Sequence, residues 1–190
     1  MKIILASASP RRKELLEQIG FQVQVVPSHL SEAMPSGTDF AAHVRDMAKA
    51  KAQKVAVDFP DEVVVGADTL VICQGQPLGK PKDANDALKM LSCLSGAWHQ
   101  VLSGICVTKV SRNIEITGIV TTDVLFYPLS RKDIDDYIRS GEPFDKAGAY
   151  GIQGLGARFV KEIRGCFYNV VGLPLSTVWQ QLKTFPEISR

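Results

Sequence analysis

Long apolar runs are missing from this sequence. The opening stretch Ile3–Ala6 gives way at once to serines, a proline and two arginines, too short for the core of a signal peptide, and nothing later approaches a membrane span. Zinc-site spacing is missing too. The four cysteines, Cys73, Cys93, Cys106 and Cys166, form no Cys-x-x-Cys pair, and no histidine stands at ligand distance from them. Reduced thiols in a cytoplasmic protein are therefore expected. Excess charge is absent as well. The 22 Lys and Arg against 20 Asp and Glu leave a net charge of +2, and the basic residues are scattered. That argues against a nucleic-acid groove and leaves room for a small polyanion held by a few convergent cations. No repeat, low-complexity tract or linker interrupts the 190 residues, so a single domain over 1–190 is expected. A chain of this length buries about two thirds of its unfolded surface, and neither a disulfide nor a structural metal is needed to hold it.

What is present reads as interleaved strands and helices. Lys2–Ala6 is a short buried strand, Ser7–Ser9 the turn leaving it, and Ser9-Pro10 an N-cap with proline in the first helical position. Leu15, Leu16 and Ile19 share one face of that helix, Gly20 stops it, and Phe21–Val26 reads as a strand. Thr38 is expected to cap a long alanine-rich helix from Asp39 to Val57. Glu62–Ala67 is a nearly continuous apolar strand ending at Asp68-Thr69; Leu70–Cys73 continues extended, and Gly75 and Pro77 turn the chain before Gly79-Lys80-Pro81. Asp83 caps a helix to Leu94, and Val101–Val110 and Ile114–Phe126 form two long strands. Ser130-x-x-Asp133 has capping-box spacing at the head of a helix, Phe159–Ile163 is a strand, and Pro174 starts a last helix. The pattern predicts an α/β domain with a central mixed twisted sheet flanked by helices.

Chemically capable residues gather at element ends and glycine-rich turns. In Ser7-Ala8-Ser9-Pro10-Arg11-Arg12 a strand-to-helix turn offers free backbone N–H groups, two hydroxyls and guanidinium forks, the makings of a phosphate seat. Asp68 closes an apolar strand, where a carboxylate binds a hard cation or accepts a proton from water. Lys51 in the long helix and Lys80 between Gly79 and Pro81 are candidate phosphate cations, and Glu32 in a serine- and proline-rich loop is a candidate second carboxylate. Taken alone, a helical lysine is more often simply solvated. The stretch Asp145–Gly156 (DKAGAYGIQGLG) allows close backbone approach, with Lys146, Tyr150 and Gln153 available to read a ligand; Tyr150, Ile152 and Leu155 argue against pure disorder.

In order and rough spacing, these pieces resemble the Maf family of nucleotide pyrophosphatases. The resemblance is carried by LASASPRRKELLEQIG, the Glu32 loop, Ala50-Lys51-Ala52, VVGADTLV, LGKPKDANDALKMLSCLSG, SGEPFDKAGAYGIQGLG and NVVGLPL, and covers nearly the whole chain. It implies a Maf/ITPase-like fold with two lobes around a deep cleft, and hydrolysis of a nucleoside triphosphate to monophosphate and pyrophosphate. It also implies a divalent metal cation, magnesium first, with manganese or cobalt as alternatives. Asp68 matches the family's catalytic carboxylate, proton acceptor for the attacking water and metal contact, with Glu32 on the metal side. Ser7, Arg12, Lys51 and Lys80 match its phosphate-side positions. Arg11, Thr69 and Gln153 match the trio of the subgroup acting on dTTP and UTP, whereas the subgroup for 7-methyl-GTP usually has tryptophan at the position of Arg11. A Gln153 amide suits the N3–H and carbonyl of thymine or uracil. Modified pyrimidine nucleotides, hence housekeeping of the nucleotide pool, fall within the same expectation. The resemblance further implies a nucleoside triphosphate as the partner molecule, neither nucleic acid nor membrane, and a homodimer.

Other readings stay open on the residues. A phosphatase releasing the terminal phosphate needs many of the same groups. A nucleotide-binding regulator of cell division or septum formation would bind tightly with little turnover. The same reaction on 7-methyl-GTP or another base is a third. The full set of phosphate-side and metal-side residues favours hydrolysis.

Overall fold

The opening residues fold as strand, turn, helix, strand. β1 (Lys2–Leu5) buries Ile3, Ile4 and Leu5 completely, and α1 (Pro10–Gln18) follows Ser9 at the N-cap. β2 (Gln22–Val25) returns parallel to β1, with Lys2 opposite Gln22 and Leu5 opposite Val25. The computed structural model describes residues 1–31, 34, 35, 37 and 39–188; Glu32 and Thr38, the expected metal carboxylate and helix cap, lie outside the described residues. The long helix α2 (Phe40–Ala56) is capped by Asp39, whose carboxylate accepts the Ala42 N–H at 2.9 Å.

On α2 the buried residues Val44, Ala48, Lys51, Ala52, Val55 and Ala56 recur at helical spacing along one face. Their small side chains bring the helix backbone onto two strands, β3 (Val64–Cys73) and β5 (Trp98–Lys109). A Cβ placed on Gly66 would stand 2.4 Å from the Ala48 carbonyl oxygen, and one on Gly104 would stand 2.0 Å from that of Val44. Only glycine fits at either crossing.

β3 corrects the expectation that a strand ends at Asp68. It runs unbroken through Asp68 and Thr69 to Cys73, because a partner on α2 neutralises the carboxylate and Leu-Val-Ile-Cys carries on a buried strand. A two-residue turn at Gln74-Gly75, both with positive φ, folds β4 (Gln76–Leu78) back antiparallel on β3. Asp83 caps α3 (Ala84–Leu94), and Ser130 and Asp133 form the complete capping box of α4 (Arg131–Arg139). β6 (Ile114–Phe126) follows β5, and three 3-10 turns, Glu142–Asp145, Ala147–Ala149 and Gly154–Phe159, lead into β7 (Val160–Arg164). A short helix α5 (Phe167–Val171) has no counterpart among the expectations, since its residues favour strands locally. The last helix, α6 (Leu175–Leu182), starts one residue after Pro174.

The seven strands lie in the order β2-β1-β3-β5-β6-β7, with β4 on β3. β1 is parallel to both neighbours, whereas β4 and β7 pair antiparallel, so the sheet is mixed as the α/β reading required. The chain divides into two compact units, one of Met1–Asp68, Ser103–Val120 and Gly172–Arg190, the other of Thr69–Leu102 and Thr121–Val171. In the first, Ile4, Ala6, Ala48, Ala52, Val55, Ala56, Val64 and Cys106 form a core. The core of the second is richer in rings: Phe126 meets Tyr150 edge-on at 4.7 Å and Tyr137 meets Phe159 at 5.0 Å. No helix among the described residues is long and apolar enough to cross a membrane.

His99 belongs to this second core. It is 2% exposed, its Nε2 lies 2.8 Å from the Tyr150 hydroxyl, and its ring packs edge-on against Phe126. Burial pushes its pKa from 6.5 down to about 4, with the Ala97 backbone offsetting part of the shift. Neutral His99 is thus favoured in the folded chain, and as the pH falls from 6.5 towards 4 the unfolded chain takes up a proton that the folded chain refuses.

Two outcomes follow. Gly104→Ala is expected to lose about 3 kcal/mol in urea unfolding, the upper end of the usual cost of overpacking, because the clash is with helix backbone and not with a movable side chain. Parental stability in that variant would mean that α2 yields. Between pH 6.5 and 4, the parent should lose up to about 3 kcal/mol that His99→Gln does not, read as the difference between their stability–pH curves. Parallel curves would show that His99 titrates normally.

Candidate active site

The first unit buries several polar side chains: Ser7, Arg12, Lys51, Asp68, Ser103 and Thr108. Two of these form an ion pair. Lys51 Nζ donates to Asp68 Oδ1 at 2.6 Å, with the side chains 4% and 12% exposed. Charges this far from water are held only where geometry and partners are right, and removing one leaves the other uncompensated at a cost of about 3–5 kcal/mol. The fold supplies that geometry. Gly66 and Asp68 share one face of β3, and Ala48, Lys51 and Ala52 share one face of α2, so the crossing at Gly66 brings Lys51 onto Asp68. A helical-wheel reading would have found Lys51, since it stands in the same stripe as Val44, Ala48, Ala52 and Val55.

The turn after β1 is organised by Arg12. Its Nε donates to Gly172 O at 2.9 Å, and its Nη1 donates to Ala67 O at 2.8 Å and to Ser7 Oγ at 3.0 Å. Arg12 is 8% exposed. A guanidinium expected to face phosphate therefore also ties the Ser7 turn to β3 and to the residues ahead of α6. Ser7 Oγ accepts the Ser9 N–H at 3.3 Å as well. Ser9 makes no side-chain cap bond, so it does not occupy the N–H groups in the first turn of α1, which keep the character of an anion seat. Arg11, one residue earlier on the helix, is half-buried.

Thr69, Lys80 and Gln153 belong to the second unit. Thr69 is half-buried in mid-β3, and Lys80 is exposed between Gly79 and the buried Pro81. The Gly148 N–H donates to Gly79 O at 3.0 Å, which brings the glycine-rich segment against the backbone of the Lys80 loop. Gln153 is exposed, with extended backbone at φ −95° and ψ 163°.

Two suggested ligand readers in that segment are otherwise engaged. Tyr150 is a core residue bonded to His99, and Lys146 Nζ donates to Glu142 O and to Asp145, both at 2.6 Å. Leu155 is 49% exposed, so of the three apolar residues singled out in the sequence Tyr150 and Ile152 are the buried ones, with Ala149 buried beside them. Two residues that sequence reasoning missed hold the segment: Tyr137 and Glu142, whose hydroxyl and carboxylate accept its backbone N–H groups. Glu142 lies just upstream of the stretch first singled out, and nothing in its spacing reveals the bonds.

For a metal, Asp68 is the relevant carboxylate. Among the described residues no group of three or more His, Cys, Asp or Glu could hold an ion. A magnesium-class cation takes one or two protein carboxylates and fills its shell with water and substrate phosphate, so Asp68 fits as one such ligand. Its Oδ1 is bonded to Lys51 at 2.6 Å.

Comparison with known proteins extends these observations to the whole chain. Residues 2–185 match the family model Maf, described as Maf-like protein. A dTTP/UTP pyrophosphatase of Clostridium novyi is 48% identical over 182 residues, 95% of this chain and 95% of the relative. Those of Bacillus pumilus and Halalkalibacterium halodurans are 47% and 48% identical, over 97% and 95% of this chain and 96% and 94% of the relatives. Among solved structures, the Staphylococcus aureus Ham1 protein is similar at 16% identity and a TM-score of 0.47, over 66% of this chain and 72% of that one. With a family model spanning all but the chain's ends, and relatives this similar over the same extent, the chain belongs to the Maf-like protein family.

Proposed function

We propose that the protein hydrolyses dTTP and UTP to the nucleoside monophosphate and pyrophosphate. The observation that carries this reading is the full-length match to relatives, 44–48% identical, that are named dTTP/UTP pyrophosphatase. The buried Lys51–Asp68 pair supports the chemistry. In the proposed step Asp68 accepts a proton from water, the water oxygen bonds to the α-phosphorus, and the α–β bridging bond breaks to release pyrophosphate. Lys51, a compact cation already in place, offsets the charge that builds on the phosphate oxygens. The Ser7 turn, braced by Arg12, offers hydroxyl and backbone donors. Lys80, with its backbone fixed by Gly79 and Pro81, is a further phosphate cation. A divalent cation held by Asp68, with Glu32 as the second carboxylate, supplies charge neutralisation and orientation of the phosphates when bound. Magnesium is the ion this reading favours.

For the base, Gln153 is the proposed reader. Its amide combines donor and acceptor, which suits the N3–H and adjacent carbonyl shared by thymine and uracil. Arg11 and Thr69 complete the specificity set on the strength of the family resemblance, which also supports a cytoplasmic homodimer acting on normal or modified pyrimidine nucleotides.

The test incubates the purified protein and magnesium with a panel of nucleoside triphosphates and resolves pyrophosphate from orthophosphate. Pyrophosphate with dTMP or UMP is expected. Orthophosphate alone would make the protein a phosphatase, and tight binding without turnover would make it a regulator. Asp68→Asn should lower kcat on the order of 10²–10⁴-fold with nucleotide Kd nearly unchanged. Parental turnover would remove Asp68 from the role of base. Chelation of the divalent ion should abolish turnover, and its re-addition restore it; activity indifferent to chelator would overturn the metal assignment.

A further inference from the structure

The segment that carries Gln153 has the composition of a loose loop, yet one side chain braces it from below. Glu142 Oε2 accepts the Leu155 N–H at 2.9 Å, while Oε1 accepts the Gly156 N–H at 3.2 Å and the Tyr137 hydroxyl at 2.9 Å. The Tyr137 oxygen in turn accepts the Gly151 N–H at 3.2 Å. Gln153 therefore lies between two backbone anchors, Gly151 before it and Leu155-Gly156 after it, and both lead to the same Tyr137–Glu142 pair. The neighbouring Ile152 is buried, 7% exposed, whereas Gln153 itself faces outward.

Glycine is required around the carboxylate. At Gly154, with φ of 69°, a Cβ would stand 2.8 Å from Glu142 Oε2. At Gly156 a Cβ would stand 2.3 Å from Gly151 O and 2.8 Å from the Tyr137 hydroxyl. The glycines thus permit a close wrap of backbone around an acidic post. The Glu142 main chain joins in, its carbonyl accepting Lys146 Nζ at 2.6 Å. Burial pushes the Glu142 carboxyl pKa up, but the Leu155 N–H, the Tyr137 hydroxyl and the Gly156 N–H together pull it lower, so the net shift is downward. Bonds to an ionised acceptor are the stronger kind, which suits a post that must hold a segment still.

We propose that Glu142 is a positioning residue for base selection, fixing through Leu155, Gly156 and Tyr137 the backbone from which Gln153 reads the pyrimidine. This rests on Gln153 being the base reader. Glu142 acts on discrimination and not on the bond that breaks. Its loss frees the amide side chain of Gln153 to sample many directions, so the bonds that favour thymine or uracil are made less often, while other bases, which never had them, are little affected.

The experiment compares the parent, Glu142→Ala, Glu142→Gln, Gln153→Ala and the double variant Glu142→Ala/Gln153→Ala. It measures kcat and KM for dTTP, UTP and a purine triphosphate, with amide hydrogen exchange over residues 151–156. Glu142→Ala should reduce the dTTP-over-purine preference by about tenfold, chiefly through KM for dTTP, and speed exchange at Leu155 and Gly156. Glu142→Gln, which keeps an acceptor oxygen, should recover part of both effects. Since Glu142 acts through Gln153, the double variant should discriminate no worse than Gln153→Ala alone. A collapse of preference in Gln153→Ala with preference intact in both Glu142 variants would overturn this proposal alone. Preference unchanged in Gln153→Ala would overturn it together with the base-reader assignment. An equal fall of kcat on every substrate in the Glu142 variants would reduce Glu142 to a general structural part and overturn the proposal too.

Discussion

The first unit depends on how closely one helix backbone can approach a sheet. α2 touches β3 at Gly66 and β5 at Gly104, where any side chain would meet helix carbonyls at 2.4 and 2.0 Å. This constraint sets everything near it. With Ala48 and Ala52 facing Gly66, the lysine between them is carried onto the strand face and meets Asp68 one pleat beyond Gly66. A bulkier residue at Gly66 or Gly104 would lift the helix and separate the pair by the same displacement. A buried ion pair tolerates such separation poorly, because the attraction that offsets desolvation falls while the desolvation remains. Packing in this unit and the charge arrangement of the proposed site are thus one problem with one solution.

Much of this was legible in the residues, and what was not has physical reasons. The strand–turn–helix–strand opening, the Asp83 cap and the Ser130–Asp133 box are local rules, and local rules hold where a few residues decide the outcome. By propensity an acidic residue in an apolar run is a breaker, and on that ground Asp68 reads as a strand terminus. What keeps it within β3 is Lys51, seventeen positions away, and no window short enough to read as one element contains both. A helical lysine taken alone reads as solvated, but the spacing of Val44, Ala48, Ala52 and Val55 puts Lys51 on the inner face. The helix α5 went unseen because Phe-Tyr-Asn-Val-Val prefers strands, and tertiary surroundings override that preference.

The second unit makes a complementary point about glycine. Four glycines between residues 145 and 156 read as freedom, and a chain with that composition is free unless something fixes it. Here a carboxylate, a buried phenol and a ring core fix it. Tyr150 is held by His99 and Phe126, Gly148 by Gly79 O, and Gly151, Leu155 and Gly156 by Tyr137 and Glu142. Glycine serves close approach in this segment, and the order comes from acceptors that lie outside it.

Arg12 closes the argument about charge in the first unit. Read from sequence, the arginines beside this helix start supply guanidinium forks to a phosphate seat. In the folded chain Arg12 directs three N–H bonds to Gly172, Ala67 and Ser7, which a surface cation would not do. It braces the seat, and its positive charge acts from behind the turn through a medium that screens it weakly. In the proposed function Lys51 and the N–H groups at the head of α1 are among the groups of this unit that meet a phosphate. Lys51 is bonded to the very carboxylate proposed to take a proton from water. The pair holds because each buried charge satisfies the other, and in the proposed function it is this satisfied pair that an incoming phosphate meets.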